Sequence, residues 1–239
     1  MIDDLGVDVP VTGQIRRVVS LVPSITEAIA VTCPHTLVGC TDYCIRPAHL
    51  DEVVGHEVAR IRGTKNPDRA AIIGLKPDLV VANQEENREY DVTLLREAGV
   101  PVWVTQIDTV SEAISSLTRL LVEGFGVERP QWLRDADEEW NQRWTDEVRS
   151  AVVAVWRDPW ICVGQDTYIA DVLRHVGVEL IDLPGKSRYP HADLADLVSA
   201  RPDRVILPDE PYHFGPDDVA SFPAVSYTHL RAHETLRYL

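Results

Sequence analysis

The chain is short of several things that mark whole classes of protein. It has only four cysteines, Cys33, Cys40, Cys44 and Cys162, too few and too scattered in 239 residues for a disulfide framework, and the close pairs of a structural zinc site are missing. Reduced, half-buried thiols are expected, and no metal is assigned to Cys40, Cys44 and the nearby His35. Cations are scarce: 23 Lys and Arg stand against 38 Asp and Glu, a formal charge of -15. A phosphate backbone or an anionic membrane surface would be repelled, so no nucleic acid partner is expected. There is no run of 18 apolar residues to cross a bilayer as a helix. The first residues, Met-Ile-Asp-Asp-Leu-Gly, lack the basic and apolar regions of a secretory signal, so a cytoplasmic location is expected. Also missing are G-x-S-x-G, H-E-x-x-H, a phosphate-binding glycine loop and the Rossmann fingerprint. His49, His56, His175 and His191 are scattered, and no catalytic residue is assigned.

What is present is a phrase spelled twice. Gly74-Leu-Lys-Pro-Asp-Leu-Val-Val-Ala82 and Ser199-Ala-Arg-Pro-Asp-Arg-Val-Ile-Leu207 each read as a helix end, a proline that stops it, and a β-branched strand. Two copies predict two similar α/β lobes with a cleft between them, where small molecules usually bind.

Strands are expected at 16–22, 37–39, 79–82 and 100–105, with helices at 70–74, 90–98 and 111–123, an alternation that predicts a parallel sheet covered on both faces. Pro23 and Ser24 open the helix after the first strand, with Ser24 and Glu27 as a capping box. That turn lies at the carboxyl end of a strand, where open α/β sheets bind ligands. Tyr43, Thr64, Asn83 and Gln84 fall on loops of the same kind. Between the lobes, Trp132, Ala136, Trp140, Trp144 and Val148 recur every four residues, predicting one helix of about 20 residues, roughly 30 Å long. The second lobe is read as strand 160–163, loop 164–167, helix 168–176, strand 179–182, helix 193–200 and strand 204–207. Gly164, Gln165, Tyr168, Tyr189 and Tyr212 are its candidate ligand contacts.

Arg17-Val-Val-Ser-Leu-Val-Pro-Ser-Ile-Thr-Glu27, Leu37 to Tyr43, Gly63 to Pro67, Leu75 to Val80 and Gly164 to Leu173 together resemble the periplasmic-binding-protein family that feeds cobalamin, haem and ferric siderophores to ABC importers, the cobalamin-binding branch most of all. The likeness covers about residues 15 to 223. It implies two Rossmann-like lobes joined by a long rigid backbone helix, with the ligand in the cleft between the lobes. The lobes are set at 14–127 and 152–225, the second incomplete, and the helix at 128–151. It implies a substrate-binding protein rather than an enzyme, with no cofactor of its own, a monomer whose cargo is a corrinoid such as cobalamin before haem or a ferric siderophore. Members of the family are periplasmic or cell-surface, so a mis-called start is the alternative to the cytoplasmic location. The alternatives are a cytoplasmic metal-chelate binder without a transporter and a chelatase-like enzyme, since fold does not fix function. The resemblance also implies docking to an ABC permease dimer through one surface carboxylate per lobe. Glu89 matches the first position; at the second the chain has Ala195, with Asp193 and Asp196 beside it. Residues 226–239 resemble a translated cloning adapter and are expected to be a non-native tail, with no function for His229 and His233.

Overall fold

The computed structural model describes residues 1–142, 144–185 and 187–222, and the backbone of 226–230. The chain divides into two compact units, one of residues 1–107 and 111–137 and one of 108–110 and 138–239.

The first unit is an α/β sandwich. Its elements are β1 (Val18–Ser20), α1 (Pro23–Thr32), β2 (Leu37–Cys40), α2 (Leu50–Val54), β3 (Ala59–Arg60), a hairpin of β4 (Arg62–Gly63) and β5 (Asn66–Pro67), α3 (Arg69–Gly74), β6 (Leu79–Asn83), α4 (Glu89–Glu97), β7 (Val102–Thr105) and α5 (Val110–Arg119), which runs into a π-helical turn, Leu120–Gly124. The main sheet is wholly parallel, in the order β3-β2-β1-β6-β7. Period-two side chains feed two cores. Val18, Leu79, Val81 and Trp103 join Ile25, Ile29, Leu120, Leu121 and Leu133 on one face. Val19, Val80, Ala82, Val102 and Val104 join Ile72, Val92 and Leu95 on the other. Both faces are therefore covered, as the near-continuous apolar strands require.

The helix after β1 starts two residues earlier than a Ser24 capping box allows. Val22 is the N-cap, Pro23 takes the first helical position, and no side chain caps the end. Proline suits that position because its missing N–H would be unpaired there anyway. Ser24 is left exposed and Glu27 half-buried.

The expected long helix is not found. α6 (Gln131–Trp140) has ten residues and ends where Asn141 follows. Trp144 donates its backbone N–H to the His175 carbonyl at 3.0 Å, so it cannot continue a ladder to residue 140. The Trp140 and Trp144 rings instead meet across the turn at 4.6 Å, with His175 edge-on to Trp140.

From Arg149, still inside the span 128–151 expected to be helical, the chain becomes β8 (Arg149–Trp156), the central strand of the second unit. There follow β9 (Trp160–Cys162), α7 (Tyr168–His175), β10 (Val178–Leu180), β11 (His191–Ala192), α8 (Leu194–Ser199), β12 (Arg204–Pro208), α9 (Pro216–Val219) and β13 (Ser226–Leu230). The order is β11-β9-β8-β12-β13. β10 runs parallel along the first half of β8, and β9 returns antiparallel along its second half. Ser226–Leu230, in the expected tail, pairs parallel with β12 from Arg204↔Ser226 to Pro208↔Leu230. Expectations for 231–239, and for the side chain of His229, lie outside the described residues.

The doubled phrase does the same structural job in each unit. Each copy leads from a helix, α3 or α8, into a strand, β6 or β12, through a basic residue with positive φ, Lys76 at 49° and Arg201 at 48°. The aspartate after each proline then receives the N–H groups that open the neighbouring strand. Asp78 accepts from Arg16 and Arg17 at 2.8 and 2.9 Å, and Asp203 from Ser150 N–H and Oγ at 2.8 and 2.9 Å. Those bonds, the Ser150 backbone N–H first, hold the Asp203 carboxyl below its ordinary range.

Candidate functional site

In the first sheet the chain steps outward from β1 to β2 and β3, then returns to the other side of β1 with β6. The strand order reverses between β1 and β6, and the crevice outside their carboxyl ends is where such sheets bind ligands. Four loops at that end carry six of the residues expected from sequence.

Pro23 and Ser24 follow β1, half-buried and exposed respectively. Tyr43, 64 % exposed, follows β2 in a tight turn closed by the Cys44 N–H to the Thr41 carbonyl at 3.1 Å. Thr64 forms the tip of the hairpin after β3. Asn83 and Gln84 end β6, and Gln84 donates its N–H to the Thr105 carbonyl at 2.9 Å.

Within this group the roles divide. Asn83 is consumed in shaping its own loop: Oδ1 accepts from the N–H groups of Glu85 and Glu86 at 2.9 and 3.1 Å, and Nδ2 donates to Thr105 Oγ1 at 3.1 Å. Ser24, Tyr43 and Gln84 keep exposed surface.

The residue that ties the loops together was not singled out from sequence. Buried Asn87 accepts the Asn83 N–H at 2.8 Å and donates to the Thr64 carbonyl at 2.9 Å. Its spacing, four residues after Asn83 in a polar loop, is the only sequence signal it offers. The hairpin also brings two cations, Arg62, 3.7 Å from Asp68, and Lys65, whose Nζ donates to the Glu85 carbonyl.

Glu89 is the exposed first residue of α4, where a carboxylate complements the helix dipole. It lines a cavity of about 460 Å³ together with Asn83, Gln84, Asn87, Thr93 and Arg96.

In the second unit, Gly164, Gln165, Tyr168 and Tyr189 gather beside the carboxyl end of β10. Gly164 donates its N–H to the Arg188 carbonyl at 2.8 Å, and Gln165 donates Nε2 to the Leu180 carbonyl at 3.2 Å. Thr167 caps α7 by accepting the Ala170 N–H at 3.2 Å, which sets Tyr168 at the first helical position, 40 % exposed. Burial, and secondarily Asp171, pushes the Tyr168 hydroxyl up, so it stays a neutral donor. Tyr189 packs against the cluster of Ala151, Val153 and Ile206.

Tyr212 sits apart from these, after β12. Its ring stands edge-on to Trp156 at 5.4 Å and tilted to Phe214 at 4.7 Å. Trp156, the last residue of β8 and 43 % exposed, is the aromatic face that sequence reading missed, because the strand it ends was missed.

Gly164 tolerates no side chain. A methyl placed there would lie 2.7 Å from the Arg188 carbonyl oxygen and 3.2 Å from that of Ser187, both backbone atoms. Gly164→Ala is expected to displace residues 187–189 and cost about 1–3 kcal/mol in urea unfolding, the usual range for overpacking. An unchanged midpoint would show that this segment yields freely.

No protein-family model matches the chain. A curated vitamin B12-binding protein of Vibrio campbellii is 22 % identical over 200 residues, spanning 80 % of this chain and 70 % of that protein. Among solved structures, the periplasmic vitamin B12-binding protein of Vibrio cholerae superposes with a TM-score of 0.71 at 20 % identity, covering 90 % of this chain and 88 % of the other. A periplasmic haem-binding protein of Pseudomonas aeruginosa gives 0.68 at 18 % identity, covering 88 % and 77 %. The fold is therefore that of the two-lobed α/β binding proteins. The vitamin B12-binding relatives, at 22 to 24 % identity, agree with the resemblance that the sequence motifs carry to the periplasmic-binding-protein family of ABC importers and its cobalamin branch.

The same comparisons correct the expected cytoplasmic location: the solved proteins that share the fold are periplasmic, and the composition of the first residues does not outweigh that.

Proposed function

We propose that this chain is a non-enzymatic binding protein for a metal chelate, exported from the cytoplasm, whose cargo is a corrinoid. The carrying observation is the reversal of strand order at β1/β6, with exposed Ser24, Tyr43 and Gln84 on the loops at the carboxyl ends of β1, β2 and β6 and Asn87 bracing the loop after β6 to the hairpin. Aromatic and amide groups of this kind suit a large, near-neutral ring system. The second unit, taken by itself, carries side chains of similar character in Gln165, Tyr168 and the pair Trp156 and Tyr212. The vitamin B12-binding relatives support the corrinoid reading. In this reading the chelate is cargo and not a resident cofactor, and Glu89 is the first unit's contact to a permease.

A second reading, haem or another anionic chelate, is favoured by Arg62 and Lys65 flanking Thr64, because guanidinium and ammonium groups recognise carboxylates. Both cations already have partners, which weakens their pull on a ligand.

Calorimetric titration of the purified protein with cyanocobalamin, haemin, and ferric catecholate and hydroxamate chelates separates the readings. Saturable heat with cyanocobalamin is expected. No heat with any corrinoid, alongside clear binding of haemin or a siderophore, would overturn the corrinoid assignment while leaving the chelate class standing.

A further inference from the structure

The β4/β5 hairpin stands between the turn that carries Tyr43 and the loop that follows β6. On the side of the turn, the Arg62 carbonyl accepts the Asp42 N–H at 2.9 Å, one residue before the tyrosine, and the Ile61 N–H reaches the Cys40 carbonyl at 3.0 Å. On the side of the loop, the Thr64 carbonyl accepts Asn87 Nδ2 at 2.9 Å and Lys65 Nζ donates to the Glu85 carbonyl. Arg62 and Thr64, bonded to these different neighbours, flank one buried glycine, Gly63.

Gly63 pairs with Asn66 across the hairpin. The place that a side chain at 63 would fill is taken by two other groups: a methyl there would lie 2.6 Å from Asn66 Oδ1 and 3.2 Å from Tyr43 Cε2. The Tyr43 ring therefore rests one edge on bare backbone, while the residue as a whole stays exposed. The two neighbours differ in how they can yield. Asn66 Oδ1 ends an exposed side chain that can rotate away; Tyr43 carries a rigid ring on a turn closed by the Cys44 N–H and anchored by the Asp42 N–H. The φ of Gly63 lies outside the left-handed region, so alanine there meets no backbone strain and acts through volume alone.

We propose that Gly63 is a positioning residue for cargo binding: by carrying no side chain it lets the hairpin seat the Tyr43 ring in one orientation before the ligand arrives. The proposal rests on the reading of Tyr43 as a cargo contact. An exposed aromatic side chain with nothing beside it samples several rotamers, and fixing one of them on binding lowers affinity. A ring already seated against the hairpin has met that ordering cost during folding. It also presents the same face to every ligand, which suits a rigid macrocycle that cannot adapt its own shape. Asn87 extends the arrangement, because it ties the hairpin to the loop after β6 and so holds the seat itself in place.

The test has one arm without cargo. In the full chain with ring-labelled tyrosine, seven residues of that type give NMR signals, and Tyr43→Phe assigns the one of interest. A nuclear Overhauser contact between Gly63 Hα and the Tyr43 ring is expected in the unliganded wild type, and it holds as a readout even if a glycine variant folds poorly. Gly63→Ala should move the Tyr43 signal and leave those of Tyr168 and Tyr212 in place. The second arm is calorimetric titration with cyanocobalamin. Gly63→Ala should weaken binding about threefold to tenfold, the ordering cost of one side chain. In a Tyr43→Ala background the same substitution should change nothing further, a non-additivity that a general loss of stability would not produce. In an Asn66→Ala background, which removes the other collision, the loss should persist. Absence of the Overhauser contact, an unmoved Tyr43 signal in Gly63→Ala, additive losses with Tyr43→Ala, or a loss that vanishes with Asn66→Ala would overturn the proposal. A wild type that gives no heat with cyanocobalamin overturns the corrinoid assignment instead, and the ring signals still decide whether Gly63 seats Tyr43.

Discussion

Gly177→Ala is expected to destabilise the protein by about 2–5 kcal/mol, from left-handed strain of about 1–2 and overpacking of about 1–3. Gly177 follows α7 with φ of +75°, donates its N–H to the Arg174 carbonyl at 3.2 Å and accepts from Arg149 N–H at 2.8 Å. It is the left-handed glycine that ends a helix, and it also holds the entry to β8. A methyl there would fall on the Glu147 carbonyl oxygen and lie 2.5 Å from Thr145 Cγ2. The first of these is backbone leading into the central strand, so relief by a side-chain rotation is not available. Gly99→Ala is the control: its φ is +80°, but nothing lies within 4 Å of the added carbon. That variant carries the strain alone, about 1–2 kcal/mol. The difference between the two in urea unfolding isolates the collision with Glu147. Equal losses would mean that the Glu147 backbone moves aside at no cost.

Much of this architecture could be read from residues. The helix ending before Gly177 was legible because glycine after an apolar-periodic run is a local signal. The doubled Lys/Arg-Pro-Asp phrase was legible for the same reason, since proline and the β-branched run act on their own neighbours. It was informative beyond that: Asp78 and Asp203 receive the opening N–H groups of β1 and β8, so the repeat reports a tertiary arrangement as well as a local one.

The misreadings fall where distant partners decide. A Trp every four residues fits a helix face, and nothing local says that the Trp144 N–H will go to the His175 carbonyl. Once that bond ends the helix, Ser150 to Trp156 is free to pair with β10 and β12, and the tryptophan at its end becomes a candidate contact. The Ser24 and Glu27 spacing likewise matched a capping box, but Pro23 sits in the first helical position and shifts the start. At the candidate site, sequence identified which loops matter better than which atoms are free. Asn83 looked like a ligand amide and is spent on its own loop, while Asn87, which ties that loop to the hairpin at Thr64, carried no mark beyond polarity.

Trp103→Ala is expected to cost about 3–5 kcal/mol, the range for removing a large buried aromatic ring. Trp103 is fully buried in β7, on the sheet face shared with Ile29, Leu120 and Leu133. Two contacts with opposite sign bear on it. The Arg119 guanidinium lies 5.3 Å from the ring centroid and also reaches Asp4 at 2.8 Å, so the indole face supports the ion pair that holds the first residues against the sheet. The indole N–H, buried, has no hydrogen-bond partner, a cost of about 1–3 kcal/mol that any carbocyclic ring would remove. Trp103→Phe should therefore lose far less than the alanine variant, within about 1.5 kcal/mol of the wild type, because part of the lost ring volume is offset by relief of the unpaired donor. The consequence reaches the candidate site through the strand itself. Two residues on from Trp103, Thr105 accepts from Asn83 Nδ2 through Oγ1 at 3.1 Å and from the Gln84 N–H through its carbonyl at 2.9 Å. A cavity at 103 should let the end of β7 shift and weaken cyanocobalamin binding in the alanine variant, with binding kept in the phenylalanine variant. Urea unfolding and calorimetric titration of the two variants check both halves, and a phenylalanine variant as unstable as the alanine one would sink the argument from the unpaired indole.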